Sequence, residues 1–363
     1  MTTDLAVKNT YASQRSIYDK RYEVGRYDHR SAVRVLTAEW NALTGAVERA
    51  LTSNPAARTI SLFDFGYGTG RVTNEFIEAY VRDSARWGRD LLVVAYDVSS
   101  VGLMKAEEAL CAKGFVPAGS MDWRPDDEDG YIAGRISKKV ADLSATVVFV
   151  HGNEAKHPKV MRQLALRVSR GQQFLVTTSW YSGLGHVPGE FRRREYFRQL
   201  SILTSWHGEM VFSVSSTGDL SELQPEWSER AANGDRGDFP VEALGDLVYE
   251  TELGQSNFYH VFGAELNDHM KAITTRGQYW WMEGIRCPEA EFDSRTAEQA
   301  NYRRVCDFNE EKRGRIWTPA DYEEFHTVAA FRSPWVPAGG STMASGRRPL
   351  LSPPPVVDDT QGA

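Results

Sequence analysis

The residues best suited to chemistry stand at the ends of apolar runs. Asp64-Phe65-Gly66-Tyr67-Gly68-Thr69-Gly70 sets a carboxylate before three glycines at alternate positions, between an apolar run and a helix signal. Glycine reaches left-handed conformations freely and lets the main chain approach a ligand closely. The helix that follows offers N–H groups with no partner inside the helix. A turn of this kind can cradle a polar or charged ligand. Asp97 ends the next apolar run, where a carboxylate can accept two hydroxyl hydrogen bonds. Met121-Asp122-Trp123 again sets an acid beside apolar residues, and Val150-His151-Gly152-Asn153-Glu154 puts an imidazole and a carboxylate at a third run's end. Histidine titrates near neutral pH, so His151, Glu154 and, further on, His186 are candidates for moving a proton.

Glycine-rich turns of this form serve two ligand classes, dinucleotides and S-adenosylmethionine, and the spacing separates them. A dinucleotide fingerprint needs a small third residue in G-x-G-x-x-G so that helix and strand pack closely. Counting from Gly66 places Arg71 there, and counting from Gly68 places Thr73 there. Neither fits. The D-x-G-x-G-x-G pattern instead resembles motif I of class I S-adenosylmethionine-dependent methyltransferases. The resemblance extends over roughly a third to a half of the chain and identifies no single member of the family.

The resemblance implies a role for each matching residue. Asp64 would help hold the methionine amino group, while Phe65, Gly66, Gly68, Thr69 and Gly70 form the turn beneath the methionine part. Tyr96-Asp97-Val98-Ser99 looks like the family's second motif, with Asp97 on the ribose hydroxyls; a simple helix cap is the other reading. Asp122 would bond the adenine amino group with Trp123 against the ring, although Asp126 to Asp129 make an acidic surface loop an equal alternative. The strand ending at His151 is taken as the fourth, facing the sulfonium. His151 or Glu154 then removes a proton from the acceptor, or His151 only packs beside the cofactor. Metal binding by His151, Glu154 and His157 is disfavoured, because the H-x-x-x-H spacing of a helical site is absent. Trp180, Tyr181 and His186 follow the next strand and are candidate acceptor contacts. Trp280 and Trp281 either wall an apolar acceptor or belong to the core. The Asn/Asp-Pro-Pro-Tyr/Phe signature of base and glutamine-amide methylation is missing, so a small molecule of specialised biosynthesis is the expected acceptor.

These residues need a framework. Apolar runs at 60–65, 91–96, 145–150 and 173–178 alternate with helical patterns at 71–81, 100–111 and from Pro158, the order of a doubly wound, mostly parallel α/β sheet. Such sheets bind ligands beyond the carboxyl ends of their strands. Segments 247–252 and 258–262 read as an antiparallel hairpin at the sheet edge. The expected organisation is an N-terminal helical cap over 1–50 and a Rossmann-like domain over 51–266 with an insertion at about 181–243. A C-terminal extension at 267–332 follows. The Pro-, Gly- and Ser-rich stretch from 333 to 363 reads as a flexible tail. The N-terminal stretch carries Tyr11, Tyr18, Tyr22 and Tyr27, either a lid over the cofactor or an ordinary amphipathic helix.

Composition bounds the rest. A formal net charge of −7 gives no attraction to nucleic acid. Arg192, Arg193, Arg194 and Arg198 form a local basic run, better read as a solvated helix face than as an anion site. No apolar run has the roughly 20 residues of a membrane span, and Met1 to Lys20 is too polar for a secretion signal. A cytoplasmic protein is expected. Cys111, Cys287 and Cys306 form no C-x-x-C pair. Two rival readings stay open: a nicotinamide-dependent oxidoreductase, and a non-catalytic protein that binds S-adenosylmethionine.

Overall fold

Leu91 to Ala95 is apolar at every position, the pattern of a strand covered on both faces. It lies within β2 (Asp90–Asp97), near the middle of a nine-stranded sheet. The structure is a computed structural model that describes residues 30–124, 130–152, 158–180, 183–216, 245–250, 256–262, 265–266, 268–269, 279–285 and 340–347. In chain order the elements are α1 (Arg30–Ser53), β1 (Thr59–Phe65), α2 (Arg71–Arg82), α3 (Ser84–Trp87), β2, α4 (Ser100–Cys111), β3 (Val116–Pro117), β4 (Tyr131–Val140), β5 (Leu143–His151), α5 (Pro158–Val168) and β6 (Phe174–Ser179). A 3-10 turn (Gly183–His186), α6 (Glu190–Leu203), β7 (Thr204–Ser216), β8 (Asp246–Glu250), β9 (Ser256–His260), β10 (Tyr279–Ile285) and β11 (Gly340–Arg347) complete them.

The sheet order is β10-β11-β7-β6-β1-β2-β5-β4-β3. The five central strands, β7-β6-β1-β2-β5, all pair in parallel. The chain first winds outward from β1 through β2 to β5, then returns to β6 and winds the other way to β7. This is the doubly wound α/β arrangement, with its topological switch between β1 and β6. Antiparallel pairs finish both edges: β4 against β5 on one side, β11 against β7 and β10 on the other.

Helices cover both faces, and neighbouring side chains on one strand show which covers which. Asp64 accepts a hydrogen bond from Thr73 of α2, while Phe65 meets Tyr196 of α6 with ring centroids 4.9 Å apart. So α2 lies on one face and α6 on the other. Trp123 donates to Glu107 of α4 and packs on Phe149 of β5, which is in register through Ala95 with Asp64, so α4 shares the face of α2. Helix α1 joins them through two buried carboxylates. Glu209 of β7 takes a two-pronged hydrogen bond from Arg49, and Glu39 accepts from Arg71 of α2 and Ser213 of β7. Removing the partner of such a carboxylate costs about 3–5 kcal/mol.

Four expectations about organisation change. The strand ending at His151 is the third parallel strand, not the fourth, because it pairs with β2 on the side away from β1. The hairpin at 246–260 forms, but β8 and β9 make a separate two-stranded sheet, and the antiparallel edge is built by β10 and β11. The region given to an insertion holds α6 and β7, the last crossover and strand of the parallel set. Residues 340–347, within the stretch read as a flexible tail, form β11 between β7 and β10. Part of the expected N-terminal cap is α1; the tyrosines before it lie outside the described residues. Among the described residues, no helix is long and apolar enough to cross a membrane.

Candidate functional site

The turn after β1 is held by its glycines. Gly66, Gly68 and Gly70 have φ of 74°, 54° and 74°, in the left-handed region that other residues enter only with strain. A Cβ on Gly70 would also come within 2.5 Å of the Tyr67 ring. Gly66 and Tyr67 donate from their backbone N–H groups to the Tyr96 carbonyl at 2.9 and 3.0 Å, which ties the turn to β2. Tyr67 turns inward, where its hydroxyl meets Asn74 and its ring edge meets Phe149. Asn74 donates to the Thr69 carbonyl at 2.9 Å.

Two acids flank this turn in different surroundings. Asp64 is 1% exposed, and its carboxyl accepts from Thr73 at 2.5 Å and from Thr178 at 2.8 Å. Burial outweighs these hydrogen bonds and pushes its pKa up to about 7; Asp97 and Glu39 add to the rise. Asp64 thus braces the turn from within the fold. Asp97 stands at the strand end itself. One carboxylate oxygen accepts from the Gly68 N–H at 2.6 Å and the other from the Ser99 N–H at 2.7 Å. Ser99 in turn caps α4 through the Gly102 N–H at 3.0 Å. Phe65 stacks on Tyr96 at 5.7 Å, and Val98 is half-buried.

On the other side of β1 the end of β6 closes in. Gly183 lies across from the glycine turn: a Cβ on Gly66 would be 3.6 Å from the Gly183 Cα and would have no other close neighbour. The hydroxyl of Ser179 and the indole N–H of Trp180 are buried without a hydrogen-bond partner. Buried polar groups are ordinarily satisfied. Two such groups beside the glycine turn at a topological switch are therefore suited to a polar ligand.

Strand order fixes how far each candidate lies from that turn, at about 4.8 Å per strand. Trp180 follows β6, the immediate neighbour of β1. His151 is paired with Asp97 and ends β5, two strands from β1, or about 10 Å away. This moves His151 from the expected sulfonium side to the Asp97 side, where its ring lies 5.2 Å from Tyr131. Trp280 and Trp281 sit on β10, four strands from β1 and roughly 19 Å away. Asp122 ends no parallel strand; its N–H bonds Ala133, and its exposed carboxylate pairs with Arg124 at 2.8 Å. Trp123 stays close to β5 through Phe149, with ring centroids 6.0 Å apart. The His186 ring donates to the Phe258 carbonyl at 3.0 Å, tying the 3-10 turn to β9. Glu154, His157 and Tyr181 lie outside the described residues.

Several contributors carried no local signal. Thr73 and Thr178 are ordinary helix and strand residues until the fold brings them to Asp64. Ser179 and Gly183 matter only because β6 adjoins β1. Arg193, within the run read as a solvated face, is fully buried. Among the described residues, no group of three or more His, Cys, Asp or Glu could hold a metal ion.

No protein-family model matches the sequence, and no curated protein matches it either. Several solved structures are similar. The CcbJ methyltransferase from Streptomyces caelestis is 13% identical over 94% of this chain and 98% of its own, with a TM-score of 0.42. The 1,6-didemethyltoxoflavin-N1-methyltransferase from Burkholderia thailandensis is 13% identical over 93% of this chain and 88% of its own, with a TM-score of 0.41. An S-adenosylmethionine-dependent methyltransferase from Clostridium acetobutylicum is 10% identical over 92% and 96%, with a TM-score of 0.39.

Proposed function

We propose that the protein transfers a methyl group from S-adenosylmethionine to a small-molecule acceptor. The observation that carries this reading is the glycine turn between Asp64 and Gly70, fastened to Asp97 through the Gly68 N–H and placed at the switch of a doubly wound sheet. The residues fit the cofactor on two counts. Without a Cβ, Gly66 lets a neighbouring group come close to the backbone of the turn, and the neighbouring strand end holds buried polar groups without partners.

In this reading Gly66, Gly68, Thr69 and Gly70 lie beneath the methionine part, and Asp97 accepts the ribose hydroxyls. Asp64 acts on the cofactor indirectly, by holding the turn through Thr73 and Thr178. Phe65 and Val98 shape the floor. Trp123 and His151 lie toward the adenine end, and Asp122 would have to leave Arg124 to reach a base. Trp180 and the 3-10 turn of His186 face the acceptor. When bound, S-adenosylmethionine supplies an activated methyl group on its sulfonium. The protein's task is then to hold an acceptor atom in line with that methyl and to exclude water. Such alignment supplies up to roughly 7–11 kcal/mol of a reaction barrier. The net charge of −7 supports an uncharged or cationic metabolite over a nucleic acid.

Isothermal calorimetry with S-adenosylmethionine and S-adenosylhomocysteine tests the reading. Both should bind the folded protein, and reduced nicotinamide cofactors should not. Binding of neither sulfur compound would refute it. Mass spectrometry of reactions with candidate metabolites then looks for products heavier by one methylene, which a purely structural ligand would not yield.

A further inference from the structure

We infer that Arg193 is the positioning residue of the acceptor side: from within the fold it sets segment 183–187 against the glycine turn. This rests on the methyl-transfer reading above for its consequence, but its geometry stands apart from it.

Arg193 belongs to a run of four arginines, yet its exposure is 0%. A buried guanidinium demands partners, and this one has a hydrogen-bonding carbonyl and an ion-paired carboxylate on two other segments, with Nε left without a hydrogen-bond partner. Its Nη1 donates to the Val187 carbonyl at 3.0 Å, and its Nη2 lies 3.1 Å from Asp246 Oδ1 of β8. The same Asp246 oxygen is 2.7 Å from His260 Nδ1, and His260 Nε2 is 3.2 Å from Glu265. Burial lowers the Arg193 pKa, and Asp246 and Glu265 oppose that fall, so the charged form is held by its neighbours.

The segment that Arg193 grips is the one that touches the cofactor turn. Gly183, four residues before Val187, packs across from Gly66. Between them His186 is fixed to the Phe258 carbonyl of β9, the partner strand of β8. Segment 183–187 is thus a strap. One end rests on the cofactor turn, and the other is clamped to α6 and the β8–β9 hairpin by one guanidinium. The planar fork of arginine reaches the carbonyl and the carboxylate together, and the single ammonium of lysine does not.

The test compares wild type with Arg193→Lys and with Arg198→Ala, which removes an exposed pair with Glu195 on the same helix. Amide hydrogen exchange of residues 183–187 and calorimetric affinity for S-adenosylhomocysteine are measured on the full chain. Arg193→Lys should speed exchange in 183–187 and weaken binding, each by about tenfold, as expected for one lost charge-assisted hydrogen bond. Arg198→Ala should change neither. Arg193→Met guards against a lysine that relaxes into place; it should loosen the strap at least as much. Unchanged exchange and affinity in both Arg193 variants, with only a lower Tm, would overturn the inference. If wild type fails to bind S-adenosylhomocysteine, the methyl-transfer reading falls, and the exchange comparison still decides the role of Arg193.

Discussion

The two sides of the cleft are built by different means. The cofactor side is local: within seven residues, three glycines in left-handed conformations shape a turn, and one N–H fastens it to Asp97. The acceptor side is assembled from afar. The strap at 183–187 is held by α6, β8 and β9 through Arg193 and His186, with partners up to about 70 residues away in sequence. Backbone conformation limits what can replace the first side, and the pairing of buried polar groups limits the second. A side built by backbone suits an invariant ligand, and one built by paired side chains can be altered partner by partner.

The contrast can be broken most forcefully at Gly70. Gly70→Val places a branched side chain at positive φ and into the Tyr67 ring, and should cost about 4 kcal/mol, read as a lower urea midpoint. A loss under 1 kcal/mol would mean that the turn is not constrained by its backbone. Next in size is the pH dependence of Asp64. Because its pKa rises to about 7 on folding, the folded state holds a proton that the unfolded chain has released. Stability should therefore fall as pH rises, by about 2 kcal/mol between pH 5 and pH 7, through linkage. Asp64→Asn should abolish that slope in urea titrations at the two pH values; an unchanged slope would assign it to another group.

Asp97→Ala should weaken S-adenosylhomocysteine binding by about 100-fold, the loss of two charge-assisted hydrogen bonds, while circular dichroism shows the fold retained. Equal affinity in the variant would remove Asp97 from the site. The smallest effect is expected at Trp180, on the acceptor side. Trp180→Phe deletes an N–H that has no partner together with part of a buried ring, so stability should fall by about 1 kcal/mol, nearly all of it from the lost packing. A loss above about 3 kcal/mol would show that the indole N–H is structural and count against Trp180 as an acceptor contact.

The same contrast explains what the sequence disclosed. Asp64 to Gly70 and Asp97 could be read because their chemistry is written in consecutive residues and in the strand-to-helix change around them. The place of β5 could not. Its residues make it a buried strand, but whether it adds beside β2 or returns to β1 depends on the crossover, and the wrong choice carried His151 to the sulfonium side. Gly340–Arg347 stands in a stretch whose Pro, Gly and Ser clusters signal a flexible tail; pairing on both edges makes it a strand all the same. Arg193 looked solvated because its carboxylate partner lies in another segment of the chain.

The insertion of β11 has a consequence for how the protein is made. On the ribosome β7 emerges more than a hundred residues before the strand that will cover its edge. At ordinary rates of synthesis that interval is roughly 6–25 s. For that time a 13-residue strand presents an open row of N–H and C=O groups to any other nascent chain. Strand β10 arrives earlier but cannot fill the gap, because its place is on the far side of β11. The sheet can be completed only once residues 340–347 enter between β7 and β10, and yield in the cell should depend on how well β7 is shielded until then.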